Sequence, residues 1–219
     1  MEANTKNIEK IMQILEKKYP VSTTTLNSMR HTNATAFHIL ISCLLSLRTQ
    51  DKNTKKASKQ LFAVANTPKE IIKIPMKKLE KLIYSSGHYK KKARVLKSVS
   101  KEILIHFHGK VPDTEEELLS IKGVGRKTAN IVLSFAFGKA VIPVDVHVHV
   151  ISNRLGWVKS KNPEETEKQL MKILNKKYWT EINSQFVQLG KEFCITLSPK
   201  CSVCPIKEYC PRIGVKRSR

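Results

Sequence analysis

Helix-start signals recur along this chain, and they constrain its fold more than any other feature. Thr67 is followed by Pro68 in the first turn and by Glu70 three residues after it, the pattern of a capped helix N-terminus. Residues 114–117 and 162–165 repeat the signal ahead of apolar residues. The Asn-Gly and Asp-Gly pairs typical of tight β-hairpins do not occur in the sequence. A helical protein is therefore predicted.

The apolar spacing agrees with this prediction, with one exception. Residues 37–47 are apolar nearly all round and predict the most buried helix, whereas residues 89–106 carry apolar residues at helical spacing with lysines between them. Residues 144–150 alternate with period two and are β-branched, which on pattern alone indicates a strand. Because a single strand has no pairing partner in a helical chain, we predict a helix that opens near Asp145.

The charge indicates the partner. Forty Lys and Arg residues against 18 Asp and Glu residues give a net charge of +22 on 219 residues, and 41% of the residues are hydrophobic. This is a globular composition, and such a charge repels itself unless a polyanion is near. Nucleic acid is the expected partner. An acidic membrane is the second choice, and a merely lysine-rich surface is the alternative without a partner.

Cellular location follows from the N-terminus and the apolar runs. Residues 1–18 indicate an amphipathic helix with lysines instead of a signal peptide, and the run 37–47 is too short to span a bilayer. We therefore expect an intracellular protein with no membrane partner. Its location would be cytoplasmic and nucleoid-associated, or nuclear in a eukaryote. Its five cysteines would then be reduced ligands or core residues.

Four cysteines gather near the C-terminus with uneven spacing. Cys194, Cys201, Cys204 and Cys210 suit either a tetrahedral zinc ion or an iron–sulfur cluster. Zinc ribbons usually present two C-x-x-C pairs, and only one such pair exists here. The spacing therefore favours a [4Fe–4S] cluster over zinc. Cys43, alone in the apolar helix, is interpreted as a core residue.

A glycine-rich turn precedes a lysine and a threonine in residues 121–130. A nucleotide phosphate loop is disfavoured, because Arg126 separates Gly125 from Lys127 and residue 120 is a serine. What remains is a helix, a Gly123-Val124-Gly125 turn and a second helix with its N–H groups directed outward. Such a helix N-terminus binds anions, and on this chain the anion would be a DNA phosphate. An ordinary turn without a ligand stays open as the alternative.

These features together resemble the endonuclease III branch of the helix-hairpin-helix DNA glycosylases. The resemblance rests on the hairpin sequence from Gly123 to Ala129, on the Val-Asp-x-His segment around Asp145 and on the four-cysteine spacing, and it extends from Phe37 to Cys210. It implies an all-α, two-lobed fold. Residues 29–139 would form a six-helix barrel with the hairpin, and residues 1–28 together with 140–219 would form the iron–sulfur cluster lobe. DNA would lie across the cleft between them.

The resemblance also implies the catalytic groups. Lys127 matches the family's nucleophilic lysine, and Asp145 matches its catalytic aspartate. A carboxylate would stabilise the positive charge that develops on the sugar as the base leaves. An amine that attacks the same carbon ends as a Schiff base, which permits β-elimination of the 3′ phosphate. His147 matches a supporting histidine of the family.

The DNA-contacting set is carried over in the same way. Its members are Lys122, Gly123, Val124, Gly125, Arg126, Arg48, Asp51, His88 and His147. The base must leave the stack, and in the family side chains from two loops fill the space that it vacates. Arg48 and His88 stand at those positions, where the family often has glutamine and leucine. Lys122 replaces a frequent proline, and Val146 and Val150 replace the usual threonine and arginine.

We therefore expect a monomeric base-excision-repair enzyme, a DNA glycosylase and abasic-site lyase. It would remove oxidised or saturated pyrimidines from duplex DNA and nick the strand by β-elimination. One alternative is a mismatch glycosylase that removes thymine or uracil opposite guanine. Another is a non-catalytic hairpin protein with a structural zinc. A metal hydrolase built on Asp145, His147 and His149 is disfavoured, because spacing i, i+2, i+4 does not share one helix face.

Overall fold

The computed structural model describes residues 5–20, 29 and 34–219. The α-helices are α1 (Ile8–Lys18), α2 (Ala36–Ser46), α3 (Asp51–Phe62), α4 (Pro68–Lys73), α5 (Met76–Leu82), α6 (Tyr89–His106), α7 (Glu115–Ser120), α8 (Arg126–Phe137), α9 (Val146–Arg154), α10 (Pro163–Ile173) and α11 (Glu181–Glu192). Short 3₁₀ helices lie at Tyr84–Ser86, Lys176–Tyr178, Cys201–Val203 and Lys207–Tyr209. Within these described ranges there is no strand, which confirms the all-α prediction.

The predicted helix starts are present. Thr67 accepts a hydrogen bond from the Glu70 N–H, and the Glu70 side chain returns to the Thr67 backbone, so both donors at the start of α4 are satisfied. The segment with strand-like alternation forms α9, with Asp145 as its N-cap, which confirms the helix predicted there. Of the helices in the described residues, none is both long and apolar enough to cross a membrane.

The chain divides into two compact units. The described residues within Met1–Thr23 and Ala140–Arg219 form one, here called the terminal unit. Those within Thr24–Lys139 form the other, here called the central unit. The boundary between residues 28 and 29 that the sequence suggested falls in a stretch of which only Met29 is described.

The central unit is built around α2. Eight residues of this helix are buried, as its apolar sequence predicted, and Thr35 caps its start together with His38. α2 packs against α3, α6 and α8, and α4 packs against α6. The hairpin that joins α7 to α8 therefore leads into α8, a helix that packs against the buried α2.

The core of the terminal unit contains residues from both the N-terminal and the C-terminal parts of the chain. The apolar face of α1, with Ile11, Met12 and Leu15 fully buried, joins a cluster that also contains Trp157 and Phe186. At the edge of this core, Tyr178 Oη donates to Glu9 Oε2 at 2.6 Å. The amphipathic N-terminal helix of the sequence prediction is thus a core element of this unit.

Candidate functional site

The turn between α7 and α8 depends on Gly123. Its φ of +103° is rare for residues with a side chain, and a Cβ there would lie 3.1 Å from Cγ1 of Val95. The Val124 N–H donates to the Ile121 carbonyl at 3.0 Å and closes the turn. Val124 was predicted to contact DNA, but its side chain is buried. Only its backbone remains to make such a contact.

The start of α8 lacks a side-chain cap. Gly125 is the N-cap in an extended conformation, and it has no side chain to accept a hydrogen bond from the first turn. Lys122, in the same turn, is exposed. The Arg126 guanidinium forms an ion pair with Glu115 of α7, a partner that the sequence analysis did not identify. A helix N-terminus of this kind attracts anions because its backbone N–H groups and its dipole favour negative charge.

Lys127 is half-buried in the first turn of α8. Its charge acts on Cys43 of α2, the core cysteine that the sequence predicted. Burial raises the pKa of the Cys43 thiol, whereas the charge of Lys127 and a hydrogen bond with Thr128 lower it. The amine of Lys127 therefore lies near a buried thiol of the central unit.

Asp145 caps the start of α9 in the terminal unit. One carboxylate oxygen, Oδ1, accepts hydrogen bonds from the His147 N–H at 2.9 Å and from the Val148 N–H at 3.0 Å. Asp145 is half-buried. Lys127 belongs to the central unit and Asp145 to the terminal unit. The aspartate is held in one orientation by its own helix.

The two histidines of α9 have different surroundings. The His149 Nδ1 lies 2.7 Å from Thr166 Oγ1 of α10, which ties the ring to the terminal unit. The His147 ring packs on Gly190 of α11 so closely that a Cβ at Gly190 would overlap its Nδ1 atom. Gly190 was missed from the sequence. A glycine inside an otherwise amphipathic helix was the available signal.

We expect Gly190→Ala to destabilise the protein by about 1–3 kcal/mol, because the new methyl group forces the His147 ring to move. In a His147→Ala background the same change should stabilise by about 1 kcal/mol, because alanine is the better helix former and the ring is gone. Denaturant unfolding of the wild type, the two single variants and the double variant measures these changes in stability. The exposed Lys191→Ala on α11 is the control. An equal loss in both backgrounds would contradict the contact.

Arg48 and His88 lie on one cavity of the central unit. Both are exposed and both have a positive φ, 51° and 45° respectively. The cavity has a volume of about 450 Å³ and is lined by Leu44, Leu47, Arg48, His88, Lys91, Lys92, Val95 and Gly123. The two residues predicted on separate loops, and the first glycine of the hairpin, therefore share one surface. Asp51 is the first residue of α3.

Lys92 on this surface was not identified from the sequence. It is 8% exposed, and its Nζ donates to the carbonyls of Leu45 and Ser86 and to Thr49 Oγ1. Burial lowers its pKa to about 8. The available signal was position, since Lys92 stands four residues before Leu96 and seven before Val99, on the apolar stripe of α6.

The four C-terminal cysteines line one apolar cavity of the terminal unit. All four are free thiols. The pKa of Cys204 is raised to about 11, first by burial and then by the charges of Cys194, Cys210 and Cys201, against a backbone hydrogen bond at Ile206. The four cysteines that the sequence predicted as ligands of one metal centre therefore line one cavity. In the part of the chain that the structure describes, no group of three or more His, Cys, Asp or Glu side chains is arranged to hold a metal ion.

Arg154 completes this cysteine site and was also missed from the sequence. Its side chain is 8% exposed, and Nη1 lies 3.1 Å from Cys194 Sγ while Nη2 donates to the Thr196 carbonyl at 2.6 Å. The Arg154 carbonyl accepts from the Ile213 N–H beyond the last cysteine. A buried guanidinium is thus directed at the sulfur that the site would need in its anionic form.

Known proteins share both the sequence and the fold. A model of the HhH-GPD superfamily base excision DNA repair proteins matches residues 41–176. Endonuclease III of Thermotoga maritima is 44% identical over 203 residues, covering 93% of this chain and 92% of that protein. Endonuclease III of Bacillus subtilis is 36% identical over 184 residues, covering 84% of each chain.

Solved structures agree. A trapped endonuclease III–DNA covalent intermediate, an estranged-adenine complex, superposes with a TM-score of 0.82 at 33% identity and covers 97% of both chains. A thermostable thymine-DNA glycosylase shares the fold, with a TM-score of 0.82 at 22% identity, and covers 96% of this chain and 98% of its own. The chain belongs to the endonuclease III family within the HhH-GPD superfamily of base excision DNA repair proteins.

Proposed function

We propose that this chain is a bifunctional DNA glycosylase and abasic-site lyase, with Lys127 as its nucleophile and Asp145 as the carboxylate that assists base departure. The observation that carries the proposal is the position of the half-buried Lys127 in the first turn of a helix whose N-cap is a glycine. The uncapped N–H groups favour a DNA phosphate, and a bound phosphate would bring the sugar within reach of the lysine.

The chemistry follows from these two groups. The Nζ lone pair of Lys127 forms a bond to C1′ as the glycosidic bond breaks, and the departing base keeps the bonding electron pair and takes up a proton. Asp145 stabilises the positive charge that develops on the sugar. Ring opening leaves a Schiff base between C1′ and Nζ. Loss of a C2′ proton then breaks the C3′–O bond, and the 3′ phosphate leaves.

DNA binding is supported by the charge and by the surface around the hairpin. The net charge of +22 supplies an attraction for DNA that does not depend on sequence. We propose that the hairpin turn and Lys122 contact the backbone, and that Arg48 and His88 enter the space left by an extruded base. The ion pair of Arg126 with Glu115 limits that residue to a secondary contact. We propose that the chain acts as a monomer.

We further propose that Cys194, Cys201, Cys204 and Cys210 hold a [4Fe–4S] cluster. The proposal is supported by the one apolar cavity that all four thiols line and by the buried guanidinium that lies against one of the sulfurs. The cluster would cross-link the C-terminal segment and would contribute to its electrostatics. The reaction above involves only the protein's own side chains.

Replacing Arg154 with methionine should weaken iron retention about tenfold in competition with a chelator. Loss of a group that hydrogen-bonds to a metal ligand lowers metal affinity by about this factor. The substitution removes the donor to Cys194 Sγ and leaves the Thr196 carbonyl without its partner. Iron and labile sulfide per chain are the measurement, with the exposed Arg94→Met as control. Zinc without sulfide in the wild-type protein would instead support a structural zinc site.

The substrate class is tested by a panel of duplexes with single lesions, in which base release and strand nicking are scored separately. We propose oxidised and saturated pyrimidines as the preferred bases, with nicking that accompanies release. Release of thymine or uracil opposite guanine, in preference to the oxidised bases, would favour a mismatch enzyme. Tight binding without release of any base would contradict the enzymatic proposal.

A further inference from the structure

We propose that Lys92 is a positioning residue that holds together the two segments carrying Arg48 and His88, so that both side chains can occupy the gap opposite an extruded base. The segments are residues 47–50, between α2 and α3, and residues 86–88, before α6. The inference rests on the proposed function for the role of Arg48 and His88 in DNA. Its structural part is that Lys92 holds the two segments together, here called the Lys92 clamp. This part depends only on contacts within the central unit.

The Lys92 ammonium joins three acceptors from two parts of the chain that lie far apart in sequence. Nζ donates to the Leu45 carbonyl at 2.7 Å, to the Ser86 carbonyl at 2.6 Å and to Thr49 Oγ1 at 2.6 Å. Leu45 lies two residues before the first segment, Thr49 lies within it, and Ser86 begins the other. The Thr49 hydroxyl also donates to the Ser86 carbonyl, so the two segments are linked twice.

The number of donors matches the number of acceptors. An ammonium has three N–H bonds, and Lys92 uses each of them on a different acceptor. Its pKa of about 8 leaves the amine mostly protonated at neutral pH. Because the side chain is 8% exposed, water cannot readily take its place if the ammonium is removed.

The backbone at the two residues needs such support. Arg48 and His88 have positive φ angles, which residues with side chains adopt rarely and only where the surroundings enforce them. The Lys92 N–H adds a bond of 3.0 Å to the His88 carbonyl, so one residue contacts both segments through its backbone and its side chain. Arg48, His88 and Lys92 all line the same cavity.

This arrangement matters only for DNA with an opposing strand. In a duplex, an extruded base leaves a gap and an unpaired partner, and side chains must fill that space. In a single strand there is no opposing base and no gap. Loss of the Lys92 clamp should therefore weaken action on duplex DNA more than action on single-stranded DNA.

The test compares Lys92→Met with Lys97→Met. Lys97 lies on the same helix and also donates to one carbonyl, that of Ile72, at 2.6 Å, so the control removes a lysine–carbonyl bond away from the two segments. Single-turnover nicking is measured on an abasic site in duplex and in single-stranded oligonucleotides. We expect Lys92→Met to lose about tenfold on the duplex and less than about twofold on the single strand, since small misplacements have effects of this order. Lys97→Met should leave the ratio unchanged.

Hydrogen exchange gives a readout that needs no DNA. In Lys92→Met the amides of residues 47–50 and 86–88 should exchange faster, whereas those of the cysteine site should not. If Lys92→Met does not fold, Thr49→Val keeps the side-chain shape, removes the shared hydroxyl and should shift the same ratio in the same direction. Equal losses on both substrates, or unchanged exchange in the two segments, would overturn the clamp. A wild-type protein inactive on both substrates would instead contradict the proposed function.

Discussion

Borohydride should trap the wild-type protein covalently on abasic-site DNA, and Lys127→Gln should abolish this trapping together with strand nicking. Loss of a nucleophile costs at least about a thousandfold in rate. Glutamine keeps much of the length of the side chain but has no amine to form the Schiff base that borohydride reduces. The trapped peptide should map to the first turn of α8.

The surroundings of Lys127 make it a better candidate than the exposed lysines. Its charge acts on the buried Cys43 thiol of α2, and it stands two residues after Gly125, the N-cap of α8 that has no side chain. An amine held near a bound phosphate and kept partly out of water is placed for attack on a sugar carbon. The alternative role, a simple phosphate contact, requires none of this burial.

Salt dependence separates the two roles. A phosphate contact contributes about 0.9 to the slope of log K against log salt. If Lys127 made only such a contact, its replacement would lower this slope and leave trapping intact. We expect the opposite for Lys127→Gln, with binding of abasic-site duplex within about threefold of wild type. Lys110→Gln, at an exposed position, is the control and should trap normally. Trapping that survives in Lys127→Gln would remove Lys127 from the nucleophile role.

The local features of the fold were predictable because they depend on neighbouring residues. The cap at Thr67, the buried α2 helix and the opening of α9 at Asp145 each follow from side chains within a few positions. In α9 the strand-like alternation was misleading. The capping hydrogen bonds of Asp145, and the lack of a pairing strand in the part of the chain that the structure describes, outweigh the β preference of valine.

The supporting residues were not predictable in the same way because their partners are distant in sequence. Lys92 contacts Leu45, 47 positions away, and Arg154 contacts Cys194, 40 positions away. Each is one cation among 40 Lys and Arg residues, so composition gives no means to distinguish it. Only the packing of α6 on α2 and of α9 on the cysteine segment determines which acceptors they reach. The position of Lys92 on an apolar stripe was the one usable indication.

Asp145→Asn should reduce base release about 10²–10³-fold while leaving the stability of α9 almost unchanged. Asparagine caps helix N-termini as well as aspartate does, so the bonds to the His147 and Val148 N–H groups persist. The negative charge, however, is lost, and with it the stabilisation of positive charge on the sugar, an effect of this size for preorganised groups. The substitution thus separates capping from catalysis.

Three comparisons make this prediction specific. Asp145→Ala removes cap and charge together and should cost about 1 kcal/mol of stability beyond the loss of activity. Asn162→Ala removes the equivalent cap of α10, whose Oδ1 accepts from the Glu165 N–H, and should lose stability without losing base release. On DNA that already contains an abasic site no base has to leave, so trapping by Asp145→Asn should fall far less than base release. Full base release by Asp145→Asn, with loss only in Asp145→Ala, would reduce Asp145 to a helix cap.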